Sequence, residues 1–244
     1  MLNRIGFVMD NVINQWNNVA KVYADVQRTA PNNITNWQIL KELLGDISGK
    51  KVLDAGCGDG FFSNQLKQLG AEVWACDGAE SFIEIAKNDF ENIDFRVCDL
   101  TQKLPYADQS FDFVVSSLVL MDIEKIDTFF VEARRVLKPN GRLVFSIMHP
   151  SFFLPDWERD EQGNKIYKKV QKYWGEEKRI LNFWGETTHY HRTLSWYSKL
   201  LKTAGLAIEE IKENPSDEKT FEGLDERKKR IPLFIAFSCV KNNV

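Results

Sequence analysis

The sequence predicts an α/β fold, a mostly parallel sheet covered by helices on both faces. Three observations predict it. From about residue 37 to 148, short apolar runs suited to strands buried on both sides alternate with amphipathic helical stretches. The first run leads directly into a glycine-rich turn, Gly56-Cys57-Gly58-Asp59-Gly60. Acidic residues, Asp54, Asp77 and Asp99, then close successive runs. That edge, at the carboxyl ends of the strands, is where open α/β sheets hold ligands.

The elements follow in order. Residues 1–35 are polar and asparagine-rich, with aromatics at Trp16 and Tyr23, and read as either a flexible arm or a lid that orders over a ligand. From Trp37, the apolar positions Ile39, Leu40, Leu43, Leu44 and Ile47 have helical spacing, closed by Ser48-Gly49. Lys51–Asp54 is a strand, and Phe61, Phe62, Leu66 and Leu69 mark a helix ending at Gly70. Glu72–Cys76 and Ile93–Cys98 are expected strands around a helix at Ser81–Asn88. A fourth strand, Phe111–Ser116, precedes a helix at Ile126–Leu137 and the turn Lys138-Pro139-Asn140-Gly141. Arg142–Met148 is the fifth strand.

The alternation breaks at His149-Pro150. The next stretch is rich in Trp, Tyr, Phe and charge and too long for an ordinary connection. It reads as an insert at about 150–192 over the ligand-bearing edge, with Ile166–Tyr173 and Arg179–Trp184 as its two strands. A helix at Leu194–Thr203 follows, then Leu206–Lys212 and Leu233–Val240 around a charged segment, 217–230. With no crossover helix between them, these last two are expected to pair antiparallel. The domain proper thus runs from 36 to 244.

Composition narrows the function. The 244 residues are 43% apolar, enough for one domain or a domain with an insert. Lysine plus arginine (32) nearly balances aspartate plus glutamate (35), and a net charge of -3 gives no general pull toward nucleic acid. The cysteines, Cys57, Cys76, Cys98 and Cys239, lack metal-ligand spacing, so neither a metal site nor a disulfide framework is expected. With no basic leader and no long apolar run, the expectation is a soluble cytoplasmic protein with no membrane partner, a monomer or a homodimer.

The glycine turn departs from the dinucleotide fingerprint Gly-x-Gly-x-x-Gly, whose third glycine allows close helix–strand packing. Here the spacing is Gly56, Gly58, Gly60, and Phe61 stands where that glycine belongs. Asp59 would also sit near a diphosphate. Asp77 can accept from both ribose hydroxyls, Asp99 from an adenine amino group, and Asp54 can brace the turn. A positively charged, phosphate-free adenosine compound suits this edge better than a dinucleotide.

Val52-Leu53-Asp54-Ala55-Gly56-Cys57-Gly58-Asp59-Gly60, Asp77, Cys98-Asp99-Leu100, Leu104-Pro105-Tyr106 through Ser110-Phe111-Asp112, and Leu137-Lys138-Pro139-Asn140-Gly141-Arg142 together carry a resemblance. The chain resembles the class I S-adenosylmethionine-dependent methyltransferases, in the branch with a type 11-like domain that acts mainly on small molecules. The resemblance implies a Rossmann-like three-layer sandwich whose seven-stranded sheet has the order 3-2-1-4-5-7-6, the last strand antiparallel. It implies S-adenosyl-L-methionine as cofactor and S-adenosyl-L-homocysteine as product. Asp54, Gly56, Cys57, Gly58, Gly60, Asp77, Gly78, Asp99, Leu100 and Ser116 are the expected cofactor contacts. One stretch, Gly78-Ala79-Glu80-Ser81-Phe82, departs from the family pattern, leaving Phe82 either beside the adenine or in the core.

Methyl transfer needs a nucleophile held in line with the methyl group at roughly 3–3.5 Å and sheltered from water. An acceptor that must lose a proton needs a base. His149, His189 and His191 are the candidates, with a hydrogen-bonding role as the alternative for each. Trp16, Tyr23, Met121, Tyr190 and Arg192 are the candidate substrate contacts, and Asp122 follows Met121 toward the methyl path. The expected activity is methylation of an oxygen, nitrogen or carbon nucleophile on a small or medium-sized metabolite. The alternatives are an RNA- or protein-directed methyltransferase and a non-catalytic S-adenosylmethionine-binding protein. A nicotinamide oxidoreductase is disfavoured by Phe61.

Overall fold

Val52, Leu53 and Ala55 bury completely in β1 (Lys51–Ala55), because this strand lies in the middle of a sheet flanked on both faces. The structure is a computed structural model describing residues 11–28, 30–152, 157–170, 172–213 and 231–242. In chain order, β1 is followed by β2 (Glu72–Asp77), β3 (Asp94–Val97), β4 (Phe111–Ser117) and β5 (Leu137–Met148), paired in parallel. Two hairpins come next: β6 (Trp157–Arg159) with β7 (Lys165–Lys168), and β8 (Glu177–Asn182) with β9 (Glu186–His191). The chain then returns to the main sheet with β10 (Leu206–Lys212) and β11 (Phe234–Lys241). The seven-stranded sheet has the order β3-β2-β1-β4-β5-β11-β10, and β11 runs antiparallel to both neighbours. This is the expected topology.

Strand alternation sorts the side chains into two layers. Leu53, Val114, Phe145 and Phe237 point toward α5 (Asp127–Val136) and α6 (Leu194–Thr203), where they meet Phe129, Phe130 and Leu201. Val52, Val115 and Val144 point the other way, toward α2 (Pro31–Leu44) and α3 (Phe61–Gln68). Beside β2 lies α4 (Glu80–Asp89), and α1 (Asn11–Gln27) packs across α4 and β9.

Several boundaries differ from expectation. Within 1–35, the described part is helical, and Val12, Val19, Ala20 and Ala24 are buried. Residues 1–10 lie outside the described residues. Proline at the first helical position starts α2 at Pro31, and Gly45, at φ 64°, ends it ahead of Ser48-Gly49. Lys138–Gly141 is absorbed into β5 as an irregularity in the pairing with β4. The expected insert strands, Ile166–Tyr173 and Arg179–Trp184, overlap β7 and β8, which lie in separate hairpins. Each is drawn into its own hairpin by a local turn. Asp160 accepts backbone N–H groups from Gln162 and Asn164 in the first, and Gly185, at φ 133°, sits in the second. Among the described residues no helix is long and apolar enough to cross a membrane.

Candidate active site

The chain leaves β1 through three glycines with positive φ: 81° at Gly56, 53° at Gly58 and 77° at Gly60. The N–H groups of Gly56 and Cys57 both donate to the Cys76 carbonyl, at 2.7 and 3.0 Å, which clamps the turn to β2. A Cβ at Gly56 would lie 2.4 Å from Val119 Cγ2, and one at Gly60 would lie 2.9 Å from both Ala86 and Phe95. Close packing against α4 and β3 therefore falls on Gly60, not on position 61. Above Gly58 nothing lies within 4 Å, so the backbone there is open to a ligand.

The acids have different duties. Asp77 accepts the Gly58 N–H on Oδ2 at 2.9 Å and the Ala79 N–H on Oδ1 at 2.8 Å. Burial raises its pKa against the pull of those N–H groups. Asp99 accepts both the N–H and the hydroxyl of Thr101 on Oδ1, at 2.8 and 2.7 Å. Both acids line a cleft of about 750 Å³ together with Gly56, Gly58 and Gly78. Asp54 does not line it. Its buried carboxyl takes the Ser63 hydroxyl at 2.6 Å, tying β1 to α3 beneath the turn, and burial pushes its pKa up to about 7.

Two expected contacts face the core instead. Leu100 and Ser116 belong to buried layers, and Thr101 and Ser117 line the cleft. The period-two alternation of β4 turns Ser116 inward, and Ser117 accepts from Asn36 Nδ2 at 2.9 Å. Cys57 and Phe61 line a side recess of about 420 Å³ with Arg28 and Asp59. There Arg28 bridges Asp59 at 2.5 Å and Asp89 at 2.6 Å. No sequence motif signals this contact, which depends on the path of α1.

That helix covers the cleft. Trp16 and Tyr23 form an edge-to-face pair 5.5 Å apart, and both pack on Phe82, at 6.1 and 5.6 Å. Trp184, from the turn of the second hairpin, closes on Tyr23 at 4.9 Å. Phe82 is thus both buried and a cleft wall. A second cavity, of about 1100 Å³, adjoins the first and shares Trp16, Tyr23, Leu118 and Asp122 with it. Met121 lines this second cavity.

The histidines separate. His189 lines the second cavity with Nδ1 3.6 Å from Asp122 Oδ1, an ion-pair distance long for a hydrogen bond. Burial raises the pKa of Asp122, while His189 and then Arg192 pull it down. His149 lines none of the three clefts. Its Nε2 lies 2.8 Å from Glu213, and its Nδ1 accepts the Ser151 N–H at 3.1 Å. Burial lowers its pKa, opposed by Glu213. His191 is held by the Tyr173 carbonyl at 2.9 Å and also lines none of them. Tyr190 and Arg192 line none of the three clefts either. The Arg192 guanidinium is buried and donates to the carbonyls of Leu120, Ile123 and Glu124, at 3.1, 2.6 and 2.5 Å, with Tyr190 and Trp196 against its faces. It holds the 3₁₀ turn Leu120–Asp122 rather than an anion.

The donor set fits S-adenosylmethionine. Asp77, Asp99 and Asp122 line the first cleft, and among the described residues no lysine or arginine does. A diphosphate there would meet carboxylates without a cation, whereas a sulfonium-bearing adenosine meets complementary charge. Among the described residues no group of His, Cys, Asp and Glu could hold a metal ion.

Known proteins match this arrangement. A family model described as a methyltransferase domain matches residues 53–145, from β1 through most of β5. Malonyl-[acyl-carrier protein] O-methyltransferase of Buchnera aphidicola is 32% identical over 167 residues, covering 65% of this chain and 64% of that protein. Demethylmenaquinone methyltransferase of Tropheryma whipplei is 35% identical over 122 residues, 48% of this chain and 50% of that one. The chain thus spans less than two thirds of the length of these curated relatives. The crystal structure of an S-adenosylmethionine-dependent methyltransferase from Mesorhizobium loti superimposes with a TM-score of 0.74 at 28% identity, over 86% of this chain and 98% of that one.

Proposed function

We infer that this chain is a class I S-adenosylmethionine-dependent methyltransferase that methylates an oxygen, nitrogen or carbon nucleophile of a small or medium-sized metabolite. One observation carries the reading: the acid-lined glycine cleft adjoins an aromatic cavity, and the two share Trp16, Tyr23, Leu118 and Asp122. Bound S-adenosylmethionine supplies an activated methyl group, so the protein needs no covalent nucleophile.

The roles follow from the lining. The backbone at Gly56 and Gly58 allows close approach, and Asp77 accepts from the ribose hydroxyls. Gly78, Phe82, Asp99 and Thr101 surround the adenine. Keeping Asp77 and Asp99 on ribose and adenine matters, because positive charge leaves the sulfur during transfer and a tight sulfonium contact would favour the ground state. Trp16 and Tyr23, carried on α1 as a lid, exclude water from the methyl path. A cytoplasmic setting suits the four buried free thiols, Cys57, Cys76, Cys98 and Cys239.

Calorimetry with S-adenosylhomocysteine is the test. Asp77→Ala should weaken binding at least tenfold, about 1.4 kcal/mol, through loss of a charge-assisted contact. Absence of any binding to the wild-type protein would overturn the proposal. Binding without methyl transfer to any metabolite would favour the non-catalytic alternative.

A further inference from the structure

We propose that the second cavity takes an uncharged, flat, largely apolar acceptor carrying one weakly acidic O–H or N–H, and that His189, oriented by Asp122, receives the proton this group gives up. The proposal rests on the cofactor reading of the adjoining cleft.

The walls choose the shape. Trp16, Tyr23, Phe183, Trp184 and Phe234 offer ring faces and edges, against which another flat ring packs well. Met121 and Met148 add side chains that adapt to irregular outlines, beside Leu118, Leu181, Asn33 and Thr187.

The charges choose the class. Among the described residues no lysine or arginine lines the cavity, and Asp122 is its one carboxylate. An acceptor carboxylate or phosphate would be buried against that acid with no cation to meet it. The neighbouring cations are engaged elsewhere. Arg192 is spent on the carbonyls of Leu120, Ile123 and Glu124, and Arg28 on Asp59 and Asp89. Arg179, opposite His189 in the hairpin register, is paired with Glu177 at 2.9 Å.

The dyad stands where acceptor and methyl group must meet. Asp122 lines both clefts, and His189, buried in β9, lies 3.6 Å from it. Separations of this kind tighten when a site is loaded. Among the described residues, the charged and titratable groups around the imidazole are Asp122 from the turn, Tyr23 from α1, Arg179 from the hairpin and Arg192 just after it. The step balances. The acceptor O–H or N–H bond breaks, its proton goes to the imidazole, and its electron pair forms the bond to the methyl carbon. The carbon–sulfur bond breaks with its pair left on sulfur. Methylated acceptor and neutral S-adenosylhomocysteine result, and imidazolium returns the proton to solvent.

Two probes of nearly equal shape test this: 2-naphthol, uncharged, and 2-naphthoate, anionic. Calorimetry on protein saturated with S-adenosylhomocysteine should show 2-naphthol binding at least tenfold more tightly. Equal or tighter binding of 2-naphthoate overturns the acceptor class, as does failure of both probes while S-adenosylhomocysteine still binds. Failure of S-adenosylhomocysteine itself overturns the cofactor reading beneath. An absorbance titration then follows ionisation of bound 2-naphthol. Naphtholate should form at least one pH unit lower in the wild-type protein than in His189→Gln. Equal midpoints overturn the role of His189. Asp122→Asn provides the same comparison should His189→Gln not fold.

Discussion

Replacing Gly56 by alanine puts a methyl group where the structure leaves no space. The backbone there has φ 81°, a left-handed conformation that costs an L-residue about 1–2 kcal/mol. The new Cβ would lie 2.4 and 2.6 Å from the γ-methyl carbons of Val119, well inside carbon–carbon contact distance. Valine is stiff at χ1 and cannot swing aside freely, so overpacking adds about 1–3 kcal/mol. The total, about 2–5 kcal/mol, is a large share of the roughly 5–15 kcal/mol that holds a typical domain folded. Gly58→Ala is the control. It has φ 53° but no atom within 4 Å of the new Cβ, so it carries only the conformational cost, about 1–2 kcal/mol. Its methyl group points into the space assigned to the cofactor. Urea denaturation and calorimetry with S-adenosylhomocysteine should therefore separate the two variants. Gly56→Ala loses more stability, and Gly58→Ala loses affinity out of proportion to its stability, at least tenfold. The reasoning is refuted if Gly56→Ala unfolds within about 0.5 kcal/mol of the wild-type protein, the range of a neutral surface change.

Two further substitutions probe the groups beneath the site. The folded-state pKa of Asp54, about 7, stands above its usual 3.8. The folded protein then keeps a proton that the unfolded chain has lost, and stability falls as pH rises from 3.8 to about 7. Asp54→Asn should flatten that limb of a Tm-against-pH curve, and an unchanged slope would count against the buried-acid account. Arg192→Met should strand the carbonyls of Leu120, Ile123 and Glu124 and cost about 3 kcal/mol in denaturant unfolding. A variant of normal stability would return Arg192 to the role of substrate anchor.

The sheet was legible because its signals are local. Each of the first five strands carries its apolar run, and the turns after the first, second and fifth carry glycine or proline, so the strands could be placed from short windows, while their order in the sheet came from the family resemblance. The acids Asp77 and Asp99 were legible for the same reason, since a strand end and its ligand-facing edge are set by the same residues. Side-chain direction was less so. Ser116 and Ser117 differ by one position, and a slip of one reverses the face in a period-two element. In the insert, each apolar run had two available partners. Local turns at Asp160–Asn164 and Gly185 closed each run on its nearest neighbour, a shorter loop than the one spanning both hairpins.

By itself, the sequence determined a parallel α/β sheet, a glycine turn without the third glycine of a dinucleotide site, and acids spaced for a cationic adenosine compound. Strand periodicity and turn chemistry act over a few residues, and a single chain displays them openly. Tertiary structure alone decided which of three histidines meets the cavity, that Arg192 braces a turn, and that α1 lays Trp16 and Tyr23 across the cleft. Those outcomes depend on contacts between residues far apart in the chain, such as His189 with Asp122 and Arg28 with Asp59. Packing selects such contacts from many chemically equivalent candidates, and no local pattern records the choice.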